Sequence, residues 1–354
     1  MNIAVLVSGG VDSSVALRIA QEQGHQVTAF YLKIWLEDEL SYLGQCPWEE
    51  DLAYVRAVCD QAQVPLQVIS LQKEYHEQIV AYVISEVQVG RTPNPDMLCN
   101  KRIKFGLFLS YIDREFPAVF DKIASGHYAQ VREHNGTHLL IRSPDPIKDQ
   151  TYFLAYLDQT QLSRIIFPIG HLAKHEVRAY AQQYNLPNKD RKDSQGICFL
   201  GTLKFEDFIR HYVGDRTGNL VEYETSTIVG QHKGFWYFTI GQRHGIRLAG
   251  GPWYVVSKDP TTNTIFISKN YYDVDKERNN FTITNCNWLY GPPNTPAELQ
   301  VKLRHGAMMH SCSLTALDAH NAHITLATRD QGIAAGQFAV FYQSDVCLGT
   351  GMIL

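Results

Sequence analysis

What the chain lacks narrows its class first. No uninterrupted apolar run approaches the ~18 residues that a membrane-crossing helix needs, so no transmembrane segment is expected. The opening Met1-Asn2-Ile3-Ala4-Val5-Leu6-Val7 carries no basic stretch and runs straight into Ser8-Gly9-Gly10, which does not read as a secretory leader. Cysteine is sparse: seven in 354 residues, at 46, 59, 99, 198, 286, 312 and 347, with no Cys-x-x-Cys and no ladder of close spacings. That excludes a disulfide scaffold and a zinc ribbon, and predicts core thiols in a reducing cytoplasm. Charge is modest at 19%, and apolar residues reach 45%, which excludes a disordered chain. The net charge of −4 gives no global basic bias, although a local basic stripe is compatible with it.

Length predicts two or three domains at about 150 residues each. Ile3 to Val7 is a short apolar run, read as a buried parallel strand. Asp12 to Gln23 reads as a helix closed by Gly24. Strands at 27–32, 66–70 and 120–124 alternate with helices at 51–63, 73–89 and 101–114, the pattern of a parallel α/β sheet. Residues 128–131 and 138–141, around Asn135-Gly136, predict a hairpin. A helix is expected at 174–184 and a long loop at 185–201. Beyond about Gly218 helical periodicity gives way to short β-rich runs at 236–240, 253–256, 264–267, 281–288, 299–303, 323–327 and 338–342. The expected organisation is an α/β catalytic domain over 1–203, a small middle module over 204–270 and a C-terminal β-barrel over 271–354.

The strongest local signal is Ser8-Gly9-Gly10-Val11-Asp12-Ser13-Ser14, where the first strand hands over to the first helix. Two glycines permit a tight turn and close approach of a ligand. The helix start offers free N–H groups and the positive end of its dipole, and three serines add hydroxyls. The arrangement is an anion cradle suited to pyrophosphate. It lacks the Walker lysine and is not Gly-x-Gly-x-x-Gly. Asp12 would repel phosphate unless a cation intervenes, which points to Mg²⁺. The alternative is an ordinary strand–turn–helix with a Ser/Asp cap.

Two further clusters surround cysteines. In Thr92-Pro93-Asn94-Pro95-Asp96-Met97-Leu98-Cys99, prolines stiffen the loop and Cys99 falls near a helix start. That position, with Lys101, Arg102 and Lys104 following, predicts a lowered thiol pKa. Cys198 lies in the long loop, in Lys192-Asp193-Ser194-Gln195-Gly196-Ile197-Cys198. It is placed to carry sulfur or to exchange disulfides. Packed core thiols are the alternative for both, and spacing alone does not bring them together. The aromatic run Trp236-Tyr237-Phe238 reads as core before it reads as a base-stacking platform.

Ser8-Gly9-Gly10-Val11-Asp12-Ser13 resembles the signature of the ATP pyrophosphatases, which cleave ATP between its α and β phosphates. GMP, argininosuccinate and NAD synthetases share it, so the loop implies a half-reaction without an acceptor. Residues 92–105, Ser125-Gly126-His127-Tyr128, Lys148-Asp149-Gln150-Thr151-Tyr152-Phe153, residues 193–201, Gly241-Gln242-Arg243 and residues 336–342 with Cys347-Leu348-Gly349 are together similar to the tRNA-specific 2-thiouridylase family. The resemblance implies 2-thiolation of the wobble uridine by adenylation of its C2 oxygen and transfer of persulfide sulfur. It implies Cys198 as persulfide carrier, Cys99 as second cysteine forming a transient disulfide with it, and Asp96 as acid/base group. It places ATP on Val7, Ser8, Gly9, Gly10, Val11, Asp12, Ser13, Ser14, Leu32 and Gly126. It assigns target-base or tRNA contacts to Asn94, Pro95, Asp96, Lys148, Asp149, Gln150, Arg304 and His305. Implied partners are tRNAs for lysine, glutamate and glutamine and a persulfide-donating protein such as a cysteine desulfurase. Gln195 stands where the family commonly has Thr, and His305 where it has Tyr.

Three other classes fit parts of this pattern. A small-molecule synthetase would need neither Cys99 nor Cys198, a non-catalytic RNA-binding protein would release no pyrophosphate, and a dithiol redox protein would work without ATP.

Overall fold

The computed structural model describes residues 1–34, 48–193, 203–276, 278–330 and 332–354. Five parallel strands form the first sheet: β1 (Asn2–Leu6), β2 (Gln26–Lys33), β3 (Leu66–Ser70), β4 (Lys122–Ala124) and, after a hairpin of β5 (Ala129–His134) and β6 (Thr137–Arg142), β7 (Ile165–Ile166). Their order is β3-β2-β1-β4-β7. Alternation along β1 explains the layers. Ile3 and Val5 turn to one face, under the helices Val11–Glu22 and Trp48–Ala62. Ala4 and Leu6 turn to the other, under the segments 72–88 and 95–115. The chain leaves β1 for β2 and β3 on one side, then returns to β4 on the other. The carboxyl end of β1 is therefore a topological switch point, where sheets of this kind bind ligands.

The middle module is a four-stranded sheet of β8 (Gly218–Glu222), β9 (Ile228–His232), β10 (Tyr254–Asp259) and β11 (Thr264–Ser268), in the order β10-β11-β8-β9. Its core holds Leu220, Phe235, Phe238, Trp253, Val255, Ile265 and Ile267. The expected strand at 236–240 is not formed: Phe235–Tyr237 is a single 3₁₀ turn. Trp236 Nε1 and Tyr237 Oη both donate to the Gly214 carbonyl, at 3.2 and 2.8 Å, so the run packs rather than pairs.

The last domain is a barrel of β12 (Asn280–Trp288), β13 (Ala297–Lys302), β14 (His310–Ala316), β15 (Ala322–Leu326), β16 (Phe338–Gln343) and β17 (Val346–Ile353). Its ladder β12-β15-β14-β13-β16-β17 closes through β17 onto β12. The hairpin of the first domain joins the same sheet: β17 pairs with β6, Cys347 opposite Leu140. Tyr290 Oη receives the Leu140 N–H at 2.5 Å beside this joint. The hairpin predicted from Asn135-Gly136 is thus present, but it belongs to the barrel's sheet and welds the barrel to the first domain.

Candidate active site at the phosphate loop

The first helix begins with Gly10 in extended geometry and no side chain caps it. Its opening N–H groups are left without the Ser/Asp side-chain cap of an ordinary turn. The serines brace the loop instead. Ser13 Oγ and Ser14 Oγ each donate to the Gly10 carbonyl at 3.0 Å, and the Ser8 N–H donates to Ser13 Oγ at 3.2 Å. Ser13 and Ser14 are buried while Ser8 is exposed, so the loop has an open mouth above a fixed floor. Gly9 has φ +77°, and a Cβ there would come within 2.7 Å of the Asp51 carbonyl oxygen. A Cβ on Gly126, just past β4, would meet the Ser13 nitrogen at 2.6 Å. Gly126 is therefore what lets the β4 end lie against the first helical turn.

Side chains distant in sequence hold the loop from outside. Asn188, buried, donates through Nδ2 to the Gly9 carbonyl at 2.8 Å and to Ser14 Oγ at 2.9 Å. Arg191 donates to the same carbonyl at 3.0 Å and pairs with Asp51 at 2.5 Å. Asp12 accepts from Lys174 Nζ at 2.7 Å and Tyr128 Oη at 2.9 Å. Lys174 Nζ also reaches Asp193 at 2.8 Å, and Asp193 is held by Lys148 at 2.7 Å and Arg178 at 2.5 Å. Burial opposes ionisation of Asp193, but Lys148 and Lys174 outweigh it and hold the carboxyl far below its usual range. Lys174 thus sets an ammonium of this chain beside Asp12. Sequence reasoning missed Lys174, Tyr128, Asn188 and Arg191 as partners of the loop. Only the density of basic residues around Lys189 to Lys192 signalled any of them.

The expected effect on Cys99 is reversed. The helix begins at Pro95 with Asn94 as cap, its Oδ1 accepting the Met97 N–H at 3.2 Å. Cys99 therefore lies a full turn beyond the helix start, where the dipole no longer acts strongly. It is buried among Tyr75, Met97, Leu98 and Ile103. Burial pushes its thiol up to about 11; Lys104 pulls it down, Asp96 pushes it up, and a hydrogen bond with Tyr75 lowers it. Lys101 is turned away to Asp158 at 2.6 Å, and Arg102 to the Gln78 carbonyl. Lys104 also acts on His127, whose imidazole pKa is driven well below its usual value, first by burial and then by that charge.

Cys198 and Cys46 lie outside the described residues. Asp193, the last described residue before Cys198, is fixed beside Asp12 by Lys174. Cys59, Cys99, Cys286, Cys312 and Cys347 are free thiols.

Of the remaining expected positions, Val7 is buried and hydrogen-bonds through its N–H to Phe30, and Leu32 is half-buried at the carboxyl end of β2. Pro95 is buried and Asp96 half-buried on the helix that carries Cys99. Gln150 Oε1 accepts the Tyr128 N–H at 2.9 Å, and the Gln150 N–H donates to the Tyr128 carbonyl. Asp149 is 1% exposed, and its carboxylate faces the barrel, where it pairs with Lys302. Arg304 is half-exposed and paired with Asp330. His305 is exposed and stacks on Phe153, ring centroids 4.8 Å apart. Among the described residues no group of three or more His, Cys, Asp or Glu side chains could hold a metal ion.

Known proteins match this chain along its whole length. Family models described as tRNA methyl transferase HUP domain, tRNA methyl transferase PRC-barrel domain and aminomethyltransferase beta-barrel domain match residues 1–202, 206–269 and 278–353. A tRNA-specific 2-thiouridylase MnmA of Parabacteroides distasonis is 43% identical, covering 100% of this chain and 99% of that protein. One from Porphyromonas gingivalis is also 43% identical, over 100% and 99%. A third, from Bacteroides fragilis, is 42% identical with both chains fully covered. A solved 4-thiouridine synthetase–RNA complex with bound ATP has a TM-score of 0.35 at 16% identity, covering 59% of this chain and 50% of that one. An anion cradle at the sheet's switch point, full-length identity above 40% and three matched domains in order lead to one assignment: the chain belongs to the tRNA-specific 2-thiouridylase family.

Proposed function

We propose that the protein replaces the C2 oxygen of the wobble uridine of tRNA with sulfur, consuming ATP and releasing AMP and pyrophosphate. The observation that carries the reading is the phosphate-loop network: an uncapped helix start whose flanking residue Asp193 leads directly into the segment bearing Cys198.

A uracil carbonyl oxygen leaves poorly, and adenylation makes it a good leaving group. The free N–H groups at the helix start, in a loop braced by Ser13 and Ser14, lie where negative charge gathers as the α–β phosphate bond breaks. Lys174 neutralises Asp12, which removes the repulsion that a phosphate would otherwise meet there. Asp12 and Asp193, joined through Lys174, are carboxylates beside that place and suit a Mg²⁺ ion carried in on phosphates rather than a protein-built cage. Such an ion supplies additional charge neutralisation on the departing pyrophosphate.

Sulfur arrives as a persulfide on Cys198, delivered by a persulfide-donating protein. In one route its terminal sulfur attacks C2, AMP departs, and Cys99 then attacks the Cys198 sulfur to free the thiolated base. In the other, Cys99 attacks the persulfide first and the sulfide released attacks C2. Both end in a Cys99–Cys198 disulfide, which a cellular thiol reduces with two electrons. The high pKa of Cys99 supports a need for a proton acceptor, and Asp96, one turn earlier on the same helical run, is placed for it. The base must leave the anticodon stack to reach the site. Asn94 and Pro95 line its approach, Lys148 and Gln150 flank the loop, and Arg304 with His305 offers a surface for the RNA on the barrel. The expected setting is the cytoplasm, with tRNAs for lysine, glutamate and glutamine as substrates.

The test is incubation of unmodified tRNA with the protein, ATP, Mg²⁺ and a sulfide source, followed by mass spectrometry of the nucleosides. Exchange of one oxygen for sulfur on the wobble uridine is expected, and loss of it in Cys198→Ala and Cys99→Ala. Activity that survives both substitutions would instead favour a synthetase acting on another acceptor.

A further inference from the structure

Three consecutive residues, Lys148, Asp149 and Gln150, point three ways. Lys148 reaches Asp193, which shares Lys174 with Asp12. Gln150 clamps Tyr128, whose hydroxyl donates to Asp12. The flanking residues therefore converge on the phosphate loop from two sides. Asp149, between them, turns the opposite way. Its Oδ2 accepts from Lys302 Nζ on β13 at 2.8 Å, with both side chains 0% exposed, and from Arg142 Nε at 3.3 Å. Its Oδ1 accepts from Thr151 Oγ1 at 2.8 Å, and Thr151 Oγ1 lies 3.1 Å from the Tyr342 hydroxyl of β16.

A buried ion pair of this kind contributes little net stability compared with a well-packed apolar pair. What it supplies is a fixed geometry between two domains. Lys302 is also two residues before Arg304 and three before His305, the exposed pair that closes this end of β13, and His305 stacks on Phe153 three residues beyond Gln150.

We propose that Lys302 and Asp149 are positioning residues: the barrel, through this pair, sets the Lys148–Gln150 segment and so the charge network on Asp12. Neither touches the nucleotide or the RNA. This rests on the proposed thiolation activity, through its tRNA-dependent release of pyrophosphate. Cutting the pair should loosen both arms on the phosphate loop while leaving the RNA-facing surface intact.

The double variant Asp149→Asn/Lys302→Met tests this. The amide oxygen introduced at position 149 can still accept from Thr151, so the local turn is kept, while the link to the barrel and both charges are removed. The expected result is a cooperative thermal transition near that of the parent, a Kd for tRNA within about threefold, and kcat/KM for ATP in tRNA-dependent pyrophosphate release lower by about tenfold. The single variant Asp149→Asn should be less stable than the double, because it strands the buried Lys302 ammonium, whereas Lys302→Met leaves Asp149 paired with Arg142. A double variant with kcat/KM for ATP within about twofold of the parent would overturn the proposal, as would loss of its folding transition. A tRNA Kd weaker by about tenfold with unchanged kcat would make Asp149 an RNA contact instead, and also overturn it. If the parent protein releases no pyrophosphate with tRNA, the thiolation reading fails, and that result is separate.

Discussion

Lys174 lies 162 residues from Asp12 in sequence and 2.7 Å from it in space. No local pattern announces such a partner; only the fold that brings the helix Lys174–Gln183 back against the first helix creates it. That is why the phosphate loop was legible in the sequence and its counter-charge was not. Cys99 shows the same limit in the opposite direction. Its neighbours in sequence are cationic, yet Lys101 and Arg102 turn elsewhere and burial dominates its chemistry. Asp149 shows the limit a third way: it sits between two polar residues in sequence, yet its carboxylate is buried against Lys302, 153 residues away. One measurement separates the role of Lys174 from bulk positive charge. Lys174→Met should slow pyrophosphate release by about 10- to 100-fold, the typical cost of losing a partner that orients a site residue. Asp12→Asn in the Lys174→Met background should recover part of that loss, because the uncompensated carboxylate goes with it. Steady-state pyrophosphate assays of the two variants decide it.

At the scale of elements, the sequence reading succeeded wherever one element satisfies itself. β1 and the middle of β2 are apolar runs because layers cover both faces of the sheet, whereas the edge strand β3 is buried only at Ile69; the helices near them carry their own periodicity. It failed where an element is defined by a remote partner. The strand expected at 236–240 became a turn because its polar atoms are spent on Gly214 and Asp215. The hairpin β5–β6 was visible, but its edge pairing with β17, at the far end of the chain, was not. That joint yields a second prediction. Tyr290→Phe removes the acceptor of the Leu140 N–H. The expected cost is about 1–2 kcal/mol, seen as a melting temperature lower by a few degrees, with the KM for ATP unchanged. An unchanged melting temperature would show that the hairpin does not depend on this bond.

For the whole molecule, titration of buried groups bounds the stable pH range. His127, whose pKa is lowered by burial and by Lys104, contributes stability above its ordinary 6.5 that is lost as pH falls through its depressed value. Asp193, also lowered, adds a loss further into acid. On the alkaline side Cys99 and Cys59 are raised to about 11, in both cases chiefly by burial. Their contribution is complete below 9.0 and is lost as pH rises through about 11. Cys286 and Cys312, raised to about 11 and about 12, act in the same sense. Lys258, lowered to about 8 by burial, works against them: its contribution is present above 10.5 and shrinks as pH falls towards 8. Four thiols outweigh one ammonium, so the urea midpoint should stay level from about pH 6.5 to 8 and fall above about pH 9. A midpoint that rises steadily to about pH 10 would show that the thiols are not sequestered in solution.

The sharing of one sheet by the hairpin and the barrel has a temporal side. While the polypeptide emerges from a ribosome, the outer edge of Thr137–Arg142 has to wait for Val346 and Cys347. At ordinary translation speeds that delay is about 10–40 s, during which an unclaimed β edge is open to wrong neighbours. Only the closing strand of the barrel ends the wait, so the nascent enzyme's vulnerability to misassembly falls away once Val346–Ile353 has been made.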